Sequence, residues 1–515
     1  VKRLRRRKNR PHKPFAIMCK LKDIKKVAFL TRSEAELLSS PQSPIILLRK
    51  KKNNLLADAI APDNPYLGIM IPYTPLHHLL FRELDYLVMT SGNLQDEPII
   101  IDDEECFQKL SHIVDYVLTN NRLIQNRNDD SIVTYSRYTN FSILRRSRGY
   151  APDPLDLPIS IKPTLGCGGE LKSTFCLAHS RIAYLSPHIG DLENNETMGA
   201  FEKILQNYKR WFKIEPELIA YDLHPDYMTT RFGQSIKSGQ KKPVQHHFAH
   251  IAACLAENLI EEPVIGLAFD GTGYGLDGKI WGCEFLIGNI KGLKRAGHLK
   301  YLPLPGGEAS IRHPYRIALA YLIYLFGSIP QLPFINKIPR QEKITIERMV
   351  ESNFNLTFTS SLGRLFDAVS AILGFTTEIT FEAQAAMQLE YLSTNPTEDL
   401  YLSTIEEEDG ILIINPGEII KGIILDLKRG VSHHKIATKF HNSIIKFSID
   451  TCLRLRSRYN LNRVAISGGA FQNRLLLEGL YKHLIINDFE PIFHRKVPYN
   501  DGGISLGQVV LANSN

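Results

Sequence analysis

Residues 151–163 hold four prolines in thirteen positions: Pro152, Pro154, Pro158 and Pro163. Proline has no amide proton to donate and pushes the residue before it out of helical backbone, so neither a helix nor a central strand is expected there. The chain therefore divides into an N-terminal part, 1–150, a proline-rich linker, 151–163, and a larger part, 164–515. A length of 515 residues exceeds one ordinary core and predicts two to four domains.

Charge is unevenly placed. Of the net +8, residues 1–20 carry +9 and the other 495 sum to −1. Such local basicity fits a phosphate site or a solvated arm, and argues against an extended nucleic-acid surface. The longest apolar run, 317–326, is too short to span a bilayer. Seven cysteines (19, 106, 167, 176, 254, 283, 452) form no C-x-x-C pair, which excludes a zinc ribbon within these residues and leaves no disulfide framework. A reducing, cytoplasmic setting is the expectation.

Short apolar runs over 14–18, 45–48, 67–71, 86–90, 131–135 and 142–144 predict strands, and 74–84 and 103–111 predict helices. The N-terminal part is thus α/β. Beyond the prolines a pattern recurs. A Gly-rich turn precedes two strands, 174–179 and 182–185. A second β run, 263–270, is followed by a glycine turn, 271–275, and a further strand at 282–287. Tight glycine turns let backbone amides approach a phosphate, and a repeat of this kind suggests two lobes around a nucleotide.

Three groups of residues carry chemistry. Lys8, Arg10 and Lys13 alternate just ahead of a strand and could grip a triphosphate, or simply form a solvated arm. Thr74 on a Pro-x-Thr turn, Ser91 and Asn93 at a strand end, Ser131, and Arg145 with Arg146 follow in order. In the second group, His246 and His250 lie one turn apart on an Ala-rich helix, a spacing that can chelate a metal or mark a surface histidine pair. Phe248, Ile251 and Leu255 would face the core. Asp270 ends a strand at a glycine turn, and Asp501 comes late in the chain. Two histidines and two aspartates would suit iron, zinc or manganese. In the third group a strand at 462–466 runs into Gly468-Gly469 and then a helix at 471–481, which would set backbone amides at a helix N-terminus.

The first group resembles the YrdC family, whose members condense a carboxylated substrate with ATP to an acyl-adenylate. That resemblance implies that Lys8, Arg10, Lys13, Thr74, Ser91, Asn93, Ser131 and Arg145, or its neighbour Arg146, line a nucleotide site. The second and third groups resemble the carbamoyl- and threonylcarbamoyl-transferring branch of the actin-like (ASKHA) superfamily. There His246, His250, Asp270 and Asp501 would be metal ligands. Asp367 would hold a ribose, Glu382 and Asn473 (at the start of the last helix) would touch adenosine, and Gly271, Thr272, Gly273, Gly468 and Gly469 would approach phosphate.

Gly168–Lys172, His188–Leu192 and Asp222–Tyr227 are similar to the HypF family of carbamoyltransferases. The resemblance implies a twisted open α/β sheet domain of YrdC type followed by a two-lobed actin-like domain. It implies an ATP-dependent carbamoyltransferase with ATP and magnesium as cofactors and one divalent metal, iron or zinc, in the transfer domain. Carbamate derived from carbamoyl phosphate would become carbamoyl-adenylate, and the carbamoyl group would pass to the C-terminal cysteine thiol of HypE in nickel–iron hydrogenase maturation. No nucleic acid or membrane would be involved. The acylphosphatase and paired zinc-finger segments that precede this region in the family are expected to be missing, as is the opening strand of the YrdC-like domain.

Three other functions compete. A small-molecule O-carbamoyltransferase uses the same two domains but places the transfer domain first. A tRNA-directed threonylcarbamoyl transferase would need basic surface beyond residue 20. A non-catalytic nucleotide-binding scaffold would dispense with the metal residues.

Overall fold

A computed structural model of the chain describes residues 1–514 except 53, 137, 376, 377 and 394–396. It packs as two units, Val1–Val244 with His494–Asn513, and Gln245–Phe493. Among the described residues no helix is long and apolar enough to cross a membrane. All seven cysteines are free, and all but Cys106 are buried.

The first unit contains two sheets. The six-stranded one runs Tyr86–Met89, Ala16–Cys19, Tyr66–Met70, Ile45–Arg49, Ile132–Ser136, Asn140–Arg145, mixing parallel and antiparallel pairs. Ile17, Ile46, Leu48, Ile69 and Val133 alternate onto one face and are fully buried. All six strands were expected, as were the helices Pro75–Leu80 and Asp103–Leu110. Two more helices, Leu21–Val27 and Arg32–Leu38, were not. The second begins with a capping box, Thr31 and Glu34 bonding each other's backbone amides.

The four-stranded sheet corrects the proline expectation. Its order is Gln240–Val244, Leu218–Asp222, Leu155–Gly166, Cys176–Leu185, so a strand does cross most of 151–163, and in an interior position. The prolines are tolerated because they fall where the ladder lets go. Register slips between Asp156 and Ile161, spanning Pro158, and again between Ile161 and Thr164, spanning Pro163. On the other side Leu218–Asp222 pairs only from Thr164 onward. The two strands expected at 174–179 and 182–185 are one, Cys176–Leu185. Helix Ile504–Ala512 belongs to this unit. Gln508 trades both hydrogen bonds of its amide with the Gly168 backbone, at 2.7 and 3.2 Å.

The second unit is built on a nine-stranded sheet. Its spine is Thr404–Glu408, Ile411–Asn415, Gly292–Leu299, Ile280–Asn289, Val264–Tyr274, Arg463–Ser467, Glu490–Ile492, with Leu302–Pro305 and Leu356–Thr359 branching from it. The glycine run 271–275 is not the expected turn. The strand Val264–Tyr274 continues through it with a bulge between Phe269 and Gly273, and the chain reverses at 275–279. The apolar run at 317–326 is the core helix Pro314–Phe326.

Candidate functional site

In the first unit the basic N-terminal segment is only partly solvated: Lys2, Arg3, Arg6 and Lys13 are exposed, whereas Arg5 and Lys8 are buried. Arg5, on the helix Lys2–Arg7, is buried and spends its guanidinium on five carbonyls, those of Arg10, Pro11, Lys13, Ala59 and Ile60, at 2.6–3.1 Å. Its bonds fix the loop that carries Arg10 and Lys13. Lys8 is only 7% exposed, and its Nζ donates to Ser91 O at 2.7 Å and Asn93 Oδ1 at 3.2 Å. Ser91 Oγ donates to the same Oδ1 at 2.7 Å, while Asn93 Nδ2 donates to Glu97 O. Lys8, Ser91 and Asn93 therefore form one bonded group.

Arg10, Lys13 and Arg145 crowd together. Burial, then Arg10 and Lys13, lowers Lys8 to about 8. Burial, then Arg5 and Arg145, lowers Arg10 to about 10; Lys13, exposed as a whole side chain, is lowered by desolvation of its ammonium and then by Arg10 and Arg145. His188 is held well below its usual value by burial and by Arg145, Lys172 and Lys13. Lys172 and His188 lie in segments the sequence had flagged without giving them a role. Arg145 reaches Asp129 at 3.5 Å, whereas Arg146 is buried against the carbonyls of Leu185 and Asp153.

Thr74 accepts from His77 N as the cap of Pro75–Leu80. Ser131 is bonded within the fold. Fully buried, it donates to Arg148 O at 2.9 Å and accepts from Ser147 N at 2.8 Å, so its proton is already used inside the fold.

In the second unit, helix His246–Glu257 starts at Gln245, whose side chain caps Phe248 N. His246 and His250 are 0% and 1% exposed, which removes the surface-pair alternative. Ile251 and Leu255 are buried as expected, and Phe248 is partly so. Both imidazoles turn to the strand Val264–Tyr274. His246 Nε2 and His250 Nε2 lie 3.4 and 3.5 Å from Asp270 Oδ2. Close approach needs Gly273, where a side-chain carbon would meet His247 Cε1 at 2.4 Å and His246 Cδ2 at 2.9 Å.

Asp270 is further fixed by Gly469 N, donating to Oδ1 at 3.2 Å, and its carboxyl is held well below the usual range by both histidines against the cost of burial. Ser467 Oγ lies 3.3 Å from His250 Nδ1. His247, beside them, is depressed to about 3 by burial and by His246.

His246, His250 and Asp270 offer ligand atoms within 4.8 Å of one another. A metal bound at about 2.0–2.2 Å in a tetrahedral shell sets its ligand atoms about 3.3–3.6 Å apart. The two nitrogen–oxygen distances fall in that range, so the donor set fits a divalent ion of the zinc or iron class. Asp501 belongs to the first unit, opening the turn Asp501–Gly503. There Asn500 caps Gly502 N and donates to Leu144 O at 3.0 Å.

Of the remaining expected residues of the second unit, Asp367 and Gly469 lie on elements packed against the same strand. Gly468 has φ +108°, and a side-chain carbon there would meet Phe269 O at 2.1 Å. The helix expected directly after Gly469 begins only at Arg474. The glycines open the 3-10 turn Gly469–Gln472, and Gly469 N serves Asp270 instead. Asn473 caps the helix Arg474–Ile486, which is not the last helix, and its Nδ2 meets His441 Nε2 at 2.9 Å. Glu382 is exposed just before the helix Gln384–Leu392. Asp367 is buried on the helix Leu362–Ile372, paired with Arg364 at 3.0 Å; burial raises its carboxyl, and Arg364 opposes that. Arg364 was not singled out from the sequence.

Family models match most of the chain. "Telomere recombination", of the Sua5/YciO/YrdC type, covers residues 1–147, "HypF Kae1-like domain" covers 160–257, and "Carbamoyltransferase, Kae1-like Domain, second subdomain" covers 266–508. A carbamoyltransferase HypF from Synechocystis sp. is 39% identical over 99% of this chain and 68% of its own length. Carbamoyltransferase HypF of Rhizobium leguminosarum is 36% identical over 99% and 67%. A crystal structure of full-length HypF in the phosphate- and nucleotide-bound form superposes with TM-score 0.95 at 43% identity, covering 99% of this chain and 81% of that one. HypF of T. kodakarensis superposes with TM-score 0.91 at 31% identity, over 99% and 68%. The architecture is therefore a YrdC-like α/β domain joined to a Kae1-like, actin-type fold.

Proposed function

The chain belongs to the HypF carbamoyltransferase family, which serves hydrogenase maturation, and from that premise we propose a two-stage transfer. The first stage is assigned to residues 1–150, where ATP with magnesium occupies the cluster of Lys8, Arg10, Lys13 and Arg145. An oxygen of carbamate, itself derived from carbamoyl phosphate, attacks the α-phosphorus. The bond to the bridging oxygen breaks, giving carbamoyl-adenylate and pyrophosphate. The cations offset the charge growing on the leaving pyrophosphate.

One observation carries this reading: Lys8 is buried with its Nζ bonded to Ser91 and Asn93, and Arg10 and Lys13 stand close enough to lower it beyond the effect of burial. Packing like charges together costs free energy, and a polyanion removes the cost. Lys8 also orders Ser91 and Asn93, so the strand end is shaped before ATP arrives.

The second stage is assigned to the region from residue 164 onward. Asp367, Glu382 and Asn473 hold the nucleoside, with Gly271, Thr272, Gly273, Gly468 and Gly469 at its phosphate. The C-terminal cysteine thiol of HypE attacks the carbamoyl carbon, the bond from that carbon to the phosphate oxygen breaks, and AMP leaves. His246, His250 and Asp270 would hold a divalent iron or zinc ion, which when bound supplies Lewis-acid polarisation. Ser467 and Gly469 orient His250 and Asp270 for that purpose.

The test is exchange of labelled pyrophosphate into ATP. Exchange that depends on carbamate, supplied as bicarbonate with ammonium, is the expected result. Exchange indifferent to carbamate would remove the first stage; with carbon-labelled bicarbonate in place of labelled pyrophosphate, failure to label a HypE C-terminal cysteine would remove the second.

A further inference from the structure

We propose that Arg364 is an anion anchor in the second unit, a site for one phosphoryl group next to the metal-ligand carboxylate; this rests on the nucleotide reading of that unit. Arg364 is 9% exposed, and among the described residues its Nε and Nη1 have no hydrogen-bond partner. Its Nη2 has a charged neighbour, Asp367 Oδ2 at 3.0 Å. A guanidinium carries five N–H donors and keeps its charge at any pH a protein survives, so burying it with donors unused is costly unless a ligand takes them up.

The surroundings are built for close approach. Ser361 caps the helix Leu362–Ile372 and also donates to Asp270 O at 3.1 Å. A side-chain carbon at Gly363 would lie 2.8 Å from Gly271 Cα, so only glycine lets the helix start press onto the strand bulge. At Gly271 a side-chain carbon would lie 3.8 Å from Arg364 Nη2. The guanidinium thus stands beside the glycine run that immediately follows Asp270. An acyl phosphate or acyl-adenylate carries one anionic phosphoryl and one carbonyl on neighbouring atoms. Arg364 would fix the first, leaving the carbonyl to the Asp270 side. Asp367 then has two tasks, balancing Arg364 and facing the nucleoside.

Calorimetric titration of the full chain with AMP and with adenosine separates the possibilities. Arg364→Gln is expected to weaken one AMP-binding phase by about tenfold or more, the worth of a charge-assisted hydrogen bond, while leaving adenosine unchanged. Arg364→Lys keeps the charge beside Asp367, and so the fold, and is expected to lose less AMP affinity than the Gln variant. If Arg364→Lys and Arg364→Gln bind AMP as the native chain does, buried water satisfies the guanidinium and the proposal fails. Equal losses for AMP and adenosine would make Arg364 structural and equally overturn it. If Asn473→Ala also leaves both isotherms untouched, the second unit has no nucleotide site, and it is the underlying reading that fails.

Discussion

Lys8 Nζ donates to Asn93 Oδ1 at 3.2 Å, tying a basic segment at the start of the chain to a strand end more than eighty residues on. Since burial and neighbouring cations lower Lys8 to about 8, its charged form is the costly one in the folded chain. Between about pH 8 and the unfolded value near 10.4, the unfolded chain binds the extra proton. Stability of the ligand-free protein should therefore rise with pH across that window, while ATP affinity falls as Lys8 discharges. Lys8→Met should flatten both slopes, leaving the shares of Arg10 and Lys13, and weaken ATP about tenfold or more. Denaturant melts and ATP titrations at pH 7 to 10 check this, and a Met variant with native slopes would exonerate Lys8.

His246→Ala and His250→Ala should each abolish stoichiometric metal while the chain stays folded. Each removes one of the two histidine donors held within 4.8 Å of Asp270, and a site stripped of a nitrogen ligand loses most of its affinity. Metal analysis after dialysis, with circular dichroism alongside, decides it. Full metal content in both variants would refute the ligand assignment.

Asp367→Ala should weaken the nucleotide phase assigned to the second unit and spare ATP turnover in the first. It should also destabilise the fold by about 3–5 kcal/mol, because Arg364 is left buried without its partner. Asp367→Asn should cost less, since burial already raises this carboxyl toward its neutral form. Urea unfolding of the two variants gives the ranking, and the reverse order would mean the pair is not an ion pair.

Gly468→Ala should lose at least about 2–3 kcal/mol, combining a left-handed backbone with a carbon 2.1 Å from Phe269 O. Its effect should reach Asp270 through Gly469 N, so metal affinity is expected to fall even in the folded fraction. A native melting curve for this variant would show that the turn has another way to bend.

The parts of this fold that announce themselves in the sequence are those with local causes. Six apolar runs bounded by turn residues became the six strands of the first sheet. His246 and His250 could be paired from one helical turn of spacing, although their complete burial could not be foreseen. What misled were residues whose local preference was overruled. Pro158 and Pro163 argued against a strand, yet the register slips just where they stand. The glycine run 271–275 read as a turn, but Gly271 and Gly273 keep the strand going so that helices can press against it. The partners of the Ser131 hydroxyl, Arg148 and Ser147, follow a different strand and could not be read from its own segment. Arg364 gave no signal at all, because an unused donor exists only once everything around it is in place. The helix Arg32–Leu38, by contrast, was legible in Thr31 and Glu34 and was passed over.

The placement of His494–Asn513 in the first unit carries a consequence for synthesis. The helix Ile504–Ala512 lies on a sheet whose other strands end at Val244, so the ribosome must make the whole second unit before that face can close. At about 5–20 residues per second, the delay is on the order of 13–54 s. Throughout it, the surface around Gly166 and Gly168 that later receives Ser505 and Gln508 stands bare on the nascent chain. The first unit is thus begun first and finished last, and its yield in a cell depends on what shields that sheet in the meantime.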